Sequence, residues 1–217
     1  MKAILQTEFS YVRSTLLAAL GTFVIVYAFL CWSLQTPAMM SVLCAMEPLL
    51  IMFTFMNADM ANGWGRYRAA LPFSRRDIVV GRYTAILLFA AATIAAAFVL
   101  GMAGNVIGPA AMPAFELAAT CICSTAVVLV LVACMQPFLV KFGNAKGVRY
   151  ATLTFLLVIG LGIAALSQVL DAPIMYEVAD WIEANAGPMV AGIAAIGALA
   201  LAASCVISLR IYKRKDL

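Results

Sequence analysis

Apolar positions in this chain come in long unbroken runs, at 16–34, 38–57, 83–103, 117–140, 151–170 and 188–209. Each run is near or above the roughly 20 residues that a helix needs to cross about 30 Å of hydrocarbon. A membrane β-barrel would show segments of about ten residues with alternating polarity instead. The pattern therefore predicts an all-α, polytopic membrane protein with six transmembrane helices in a single domain, 1–217. The stretch from 83 to 115 is longer than one span, and Gly104, Asn105, Gly108, Pro109 and Pro113 are read as its break into a loop.

Two segments outside the runs have helical amphipathic spacing. In 1–14, Ile4, Leu5, Phe9 and Val12 recur against Lys2, Gln6, Ser10 and Arg13, which predicts a helix lying along the inner membrane surface. In 171–187, Ile174, Val178, Trp181 and Ile182 oppose Glu177, Asp180 and Glu183. Asp171 and Pro173 suit the start of a short helix at the outer interface, Gly187 and Pro188 its end, and Trp181 the headgroup level.

Composition agrees. The chain is 65% apolar and 11% charged, too few polar groups to coat a soluble globule. The six cysteines all fall inside apolar runs and read as small core residues. The thiols of Cys121 and Cys123 point to different sides of a helix and make a poor metal clamp. The chain has no histidine, which excludes imidazole chemistry and His-ligated metals. The first apolar run follows Glu8 and Arg13, is a full span long, and reads as a retained helix rather than a cleaved leader.

Charge sets the topology. With six spans, all 14 basic residues fall at the N-terminus, in the second and fourth loops, and at the C-terminus. The other side carries Glu116, Asp171, Glu177, Asp180 and Glu183. By the positive-inside rule, both termini and loops two and four are cytoplasmic. The net charge of +4 is then a topological signal and an attraction to anionic lipid, not a nucleic-acid footprint.

The loop 58–82 is longer than a connector needs. Residues 59–70 suit a short helix that Pro72 stops. Ser74, three residues before Asp77, suits the cap of a new helix starting at Arg75, with Asp77 near its positive end. The result is a bent, structured cytoplasmic elbow displaying Trp64, Tyr67, Leu71 and Phe73 beside Arg66, Arg68, Arg75 and Arg76. Aromatic and arginine side chains around an apolar centre make a docking surface. A basic loop resting on lipid headgroups needs the charge alone, without the tryptophan, the proline stop or the cap.

Asp59, Gly63–Trp64, Tyr67, Leu71–Pro72, Ser74–Arg75, Ile78–Val79 and Arg82–Tyr83 together resemble the elbow of type 2 (exporter-type) permeases of ATP-binding cassette (ABC) transporters. The architectural likeness covers the whole chain, the specific motif only this loop. Within that group the chain is similar to bacterial exporters of amphipathic peptides. The resemblance implies a bacterial inner-membrane location and a working unit of two permease copies, or one copy and a related permease, with two ATPase subunits. It implies that the elbow is a coupling helix seated in the ATPase, with Trp64, Arg66, Tyr67, Leu71, Pro72, Ser74, Arg75 and Arg76 in the docking face. The chain has no GxxxxGK[ST] phosphate loop, so ATP and Mg belong to the partner and no cofactor to this chain.

Glu47 is the one charged residue near the middle of a span, where a charge costs about 2.5–3.5 kcal/mol to insert. Pro48 follows it and frees a backbone carbonyl. Two readings stand: Glu47 faces a substrate path, or it is a buried carboxyl bonded to a neighbouring helix. Asn57 and Gln136 are further intramembrane polar candidates, and Gln136–Pro137 suits a kink. Pairs such as Gly104/Gly108, Gly160/Ala164 and Ala191/Ala195 suit close helix contacts.

The function expected is the permease subunit of an ATP-driven exporter, moving amphipathic, peptide or lipid-like cargo outward, with no enzymatic activity of its own. A non-transporting scaffold or sensor subunit is the alternative, since it would share the topology. An ion-coupled carrier would place several ionisable groups in its spans, and one glutamate does not meet that need.

Overall fold

The computed structural model describes residues 21, 22, 24–26, 29, 33, 40–61, 74–107, 111–170, 181 and 185–213. The segment 1–14, most of the first span, the elbow residues Trp64, Arg66, Tyr67, Leu71 and Pro72, and most of 171–187 lie outside them. Among the described residues all regular structure is helical. Four long elements follow in order: α1 (Met40–Ala61), α2 (Arg75–Ile107), α3 (Ala114–Leu170) and α4 (Ala186–Lys213). Among the described residues three stretches are long and apolar enough to cross a membrane, Arg76–Val106, Ala114–Phe142 and Ala186–Lys213, with a shorter apolar helix at Cys44–Phe55.

α2 begins where the sequence places it. The Ser74 hydroxyl accepts the backbone N–H of Asp77 at 3.1 Å, and the Ser74 carbonyl accepts that of Ile78 at 3.2 Å. One donor left over at the helix start is thereby satisfied. The far end differs from expectation. The helix runs through Gly104 and Asn105 to Ile107, and its 33 residues span about 50 Å. Asn105 explains the extension: its side-chain amide donates to the Met112 carbonyl at 2.7 Å and accepts the Met112 N–H at 3.0 Å. Met112 is thereby tied back onto the last turn of α2.

α3 is helical from Ala114 to Leu170 without a break, yet it is not one rod. A Cβ placed on Gly147 would stand 3.0 Å from the Cα of Leu139. Eight residues of straight helix would separate the two by about 12 Å. The Phe142 and Tyr150 rings, equally far apart in sequence, sit with centroids 4.8 Å apart. The run therefore folds back between its two arms, and Gly147 permits the backbone approach because it has no Cβ. This reversal occupies the place of the expected fourth loop.

α4 starts at Ala186, so Gly187 and Pro188 belong to its first turn, where a missing N–H costs no helix bond. Ahead of it, the carbonyl of exposed Trp181 accepts both the backbone N–H of Asn185, at 3.0 Å, and its side-chain amide, at 2.9 Å.

α2 and α4 each bury one face and leave much of the rest exposed. α2 buries Val79, Tyr83, Ile86, Ala90 and Ala97, while Leu88, Val99 and Val106 are exposed. α4 buries Gly197, Leu201, Ser204 and Ser208. Large apolar side chains facing outward, with hydroxyls and glycine on the buried face of α4, is unlike a water-soluble bundle and suits lipid as solvent. The first arm of α3 lies at the centre, packed on α1, α2 and α4.

Two contacts between each pair of helices give their relative direction. Ala126 meets Gly197, and Ala133 meets Ser204, so α3 and α4 run parallel. Cys44 clusters with Leu117 and Cys121, while Ile51 and Phe55 pack with Val132, Met135 and Leu139, so α1 runs the same way. Leu117 meets Gly101, whereas the Ala133 level meets Tyr83 through Ser204, so α2 is antiparallel to the others. The basic residues Arg76, Lys141, Lys146, Arg149, Arg210 and Lys213 consequently gather at one end of the bundle and Glu116 at the other.

Candidate functional site

The elbow leaves the bundle from α1 and returns through α2. Its neck is closed by Phe55 and Arg82, whose guanidinium carbon lies 5.8 Å from the Phe55 ring centroid, within cation–π reach. At the neck, Ser74 caps α2 and is exposed, as is the side chain of Arg76; Arg75 is the first residue of the helix. Nothing interrupts the backbone of α2 between this cap and the opposite end of the bundle.

Directly after Arg82, Tyr83 enters the core. It is 5% exposed, and its hydroxyl oxygen lies 2.7 Å from Ser204 Oγ and 2.8 Å from Ser208 Oγ. Ser204 Oγ donates to the carbonyl of Ala133 at 2.6 Å. A hydroxyl carries one proton, so the directions follow. Ser204 spends its proton on Ala133; Tyr83 therefore donates to Ser204, and Ser208 donates to Tyr83. The relay Ser208, Tyr83, Ser204, Ala133 joins α4, α2 and α3 in one chain of bonds with every proton used.

The end of this relay is set by a proline. In a helix the carbonyl of residue 133 would accept the N–H of residue 137, and Pro137 has none. Ser204 supplies the missing donor. A weaker version lies near the other end of the bundle. Pro48 leaves the Cys44 carbonyl without its helical donor; the single proton of Thr125 Oγ1 is directed at its own Cys121 carbonyl at 2.8 Å, and Cys44 at 3.3 Å shares it only as the long arm of a bifurcated bond. Pro48 and Pro137 both sit inside unbroken helical runs, and only at Pro137 is the freed carbonyl met by a donor from a neighbouring helix committed to it.

Glu47 and Gln136 are 2% and 1% exposed. The Oε1 atom of each is buried with no hydrogen-bond partner. The two stand on different helices, Glu47 on α1 and Gln136 on the first arm of α3, and neither Oε1 is bonded to the other residue. Asn57 is exposed near the end of α1. Among the described residues no three His, Cys, Asp or Glu side chains gather as a metal-binding group.

The sequence reading singled out Tyr83 only as part of a motif and passed over Ser204 and Ser208. Their signal is two small hydroxyls four apart in an otherwise apolar run, which places both on one helical face. Asn105 was read as a loop former, whereas it ties the loop to the helix.

The model for the family described as ABC-2 family transporter protein matches residues 4–213. No curated protein and no solved structure matches the chain. The match spans nearly the whole chain and carries what that family implies: a multi-pass membrane component of an ABC transporter whose ATPase is a separate partner. The chain belongs to the ABC-2 family of transporter membrane proteins.

Proposed function

We propose that this chain is the permease subunit of an ATP-driven exporter, with six spans, both termini in the cytoplasm, and the elbow 58–82 docked in an ATPase subunit. Two such permeases, or one with a related chain, work with two ATPases. The cargo moved outward is amphipathic, of a peptide or lipid-like kind. The alternating helix directions support six spans, because α1, the first arm of α3 and α4 run one way while α2 runs the other. The gathering of basic residues at the elbow end supports a cytoplasmic elbow.

The observation that carries the reading is the continuity of α2. A helix capped at Ser74, braced at its neck by Arg82 on Phe55 and unbroken to Ile107 is a lever. Movement applied to its exposed arginine end reaches the opposite side of the bundle without a flexible joint. Glu47 fits the same reading as a buried group with one carboxyl oxygen unpartnered, which gains a partner when the bundle opens.

Reversing charge at Arg75 and Arg76 to glutamate tests the docking. The variant inserts and folds in the membrane but no longer co-purifies with the ATPase. Co-purification and transport at the level of the unaltered chain would overturn it.

A further inference from the structure

We infer that Tyr83 is the positioning residue through which the elbow drives the last helix. Its hydroxyl makes α4 and the proline-weakened stretch of α3 follow any displacement of α2. The inference rests on the elbow-docking reading proposed above.

Three features carry it. Phenylalanine would fill the volume of Tyr83 equally well, and a buried hydroxyl is a liability unless it is bonded. Here the hydroxyl makes two bonds, both to one helix, at 2.7 and 2.8 Å, and Ser204 extends the chain to a third helix at 2.6 Å. The relay also meets α3 where that helix is weakest. Pro137 removes the intrahelical bond to Ala133, so Ser204 is the donor that holds the turn together. Finally, Tyr83 sits about two and a half turns from the Ser74 cap, so it moves with the first turns of α2. Apolar packing slides when helices shift by an ångström or two, whereas an aligned hydrogen bond does not stretch far without breaking. The relay therefore commits α4 to move with α2 or to lose its bonds together.

The test uses the permease with its ATPase in lipid nanodiscs and hydrogen–deuterium exchange with and without ATP plus vanadate. In the unaltered complex, exchange changes at 75–83 and also at 201–213. In Tyr83→Phe the change at 75–83 persists and that at 201–213 is lost. The double variant Ser204→Ala/Ser208→Ala, which removes both bonds from Tyr83 to α4, loses it too, and Ser204→Thr/Ser208→Thr, which keeps both hydroxyls, restores it. The serine pair decides the matter alone if the phenylalanine variant does not fold. A Tyr83→Phe complex, or one with Ser204 and Ser208 both replaced by alanine, that passes the full change to 201–213 overturns the inference while leaving the docking intact. An unaltered complex with no change at 75–83 overturns the docking reading, and this inference with it.

Discussion

Ser204 donates its hydroxyl proton to the carbonyl of Ala133, the oxygen that Pro137 leaves without a helical donor. The relationship has a measurable energetic signature. In the unaltered chain Ser204→Ala strands a buried carbonyl and costs about 1–3 kcal/mol. In a Pro137→Ala background the helix supplies its own donor, and the same serine change costs much less. The double-mutant cycle, read from thermal unfolding in detergent, should return a coupling of about 1 kcal/mol or more. Additive effects would mean that the hydroxyl and the proline do not serve one carbonyl. Pro137→Ala alone should raise stability and lower transport, because it stiffens the turn that the relay holds.

Gly197 marks a close approach of α4 to the backbone of α3. A Cβ there would stand 3.0 Å from the Ala126 carbonyl oxygen and 3.2 Å from its Cα, backbone atoms that cannot swing aside. Gly197→Ala should destabilise the bundle by about 1–3 kcal/mol through overpacking. Gly192, on the same helix with nothing within 4 Å, is the control. Gly192→Ala should be neutral or stabilising, as expected of glycine replaced in an open helical position. Equal melting of the two variants would remove the close crossing from the account.

The cap on α2 predicts a local effect. Ser74→Ala should weaken the first turn by about 1 kcal/mol, and Ser74→Asp, which keeps an acceptor oxygen, should restore it. Amide exchange at 76–78 reads this directly. Faster exchange confined to the first turn in the alanine variant is the expected result.

Glu47 separates stability from transport. Its carboxyl is 2% exposed with one oxygen unpartnered, a placement that costs rather than stabilises. Glu47→Leu should fold as well as the unaltered chain or better, by up to about 3 kcal/mol on insertion scales. Export should fall, in Glu47→Gln as well, with ATPase assembly unchanged. Full export by the leucine variant would show that the carboxyl takes no part in transport.

Much of the fold was legible because lipid imposes it. Long apolar runs announce helices where α1, α2, the first arm of α3 and α4 lie, and Ser74 with Asp77 names the start of α2. Local grammar misread what tertiary contacts decide. Gly104 and Asn105 look like a helix end, yet Asn105 uses its side chain to bind Met112 and keep the helix going. The glycines and asparagine after Lys141 look like an open loop, yet the backbone stays helical and turns sharply where Gly147 meets Leu139. The relay at Tyr83 was out of reach because its partners lie 121 and 125 positions away. Pro137 does announce a freed carbonyl in the sequence, but not that Ser204 answers it.

The central claim is that the elbow is gripped by the ATPase. A photocrosslinking side chain placed in turn at positions 64, 76 and 181, in cells producing both subunits, tests it most directly. The account predicts a crosslinked permease–ATPase product from 64 and 76 and none from 181. No product from either elbow position, or labelling of position 76 by a membrane-impermeant reagent added outside intact cells, would contradict it.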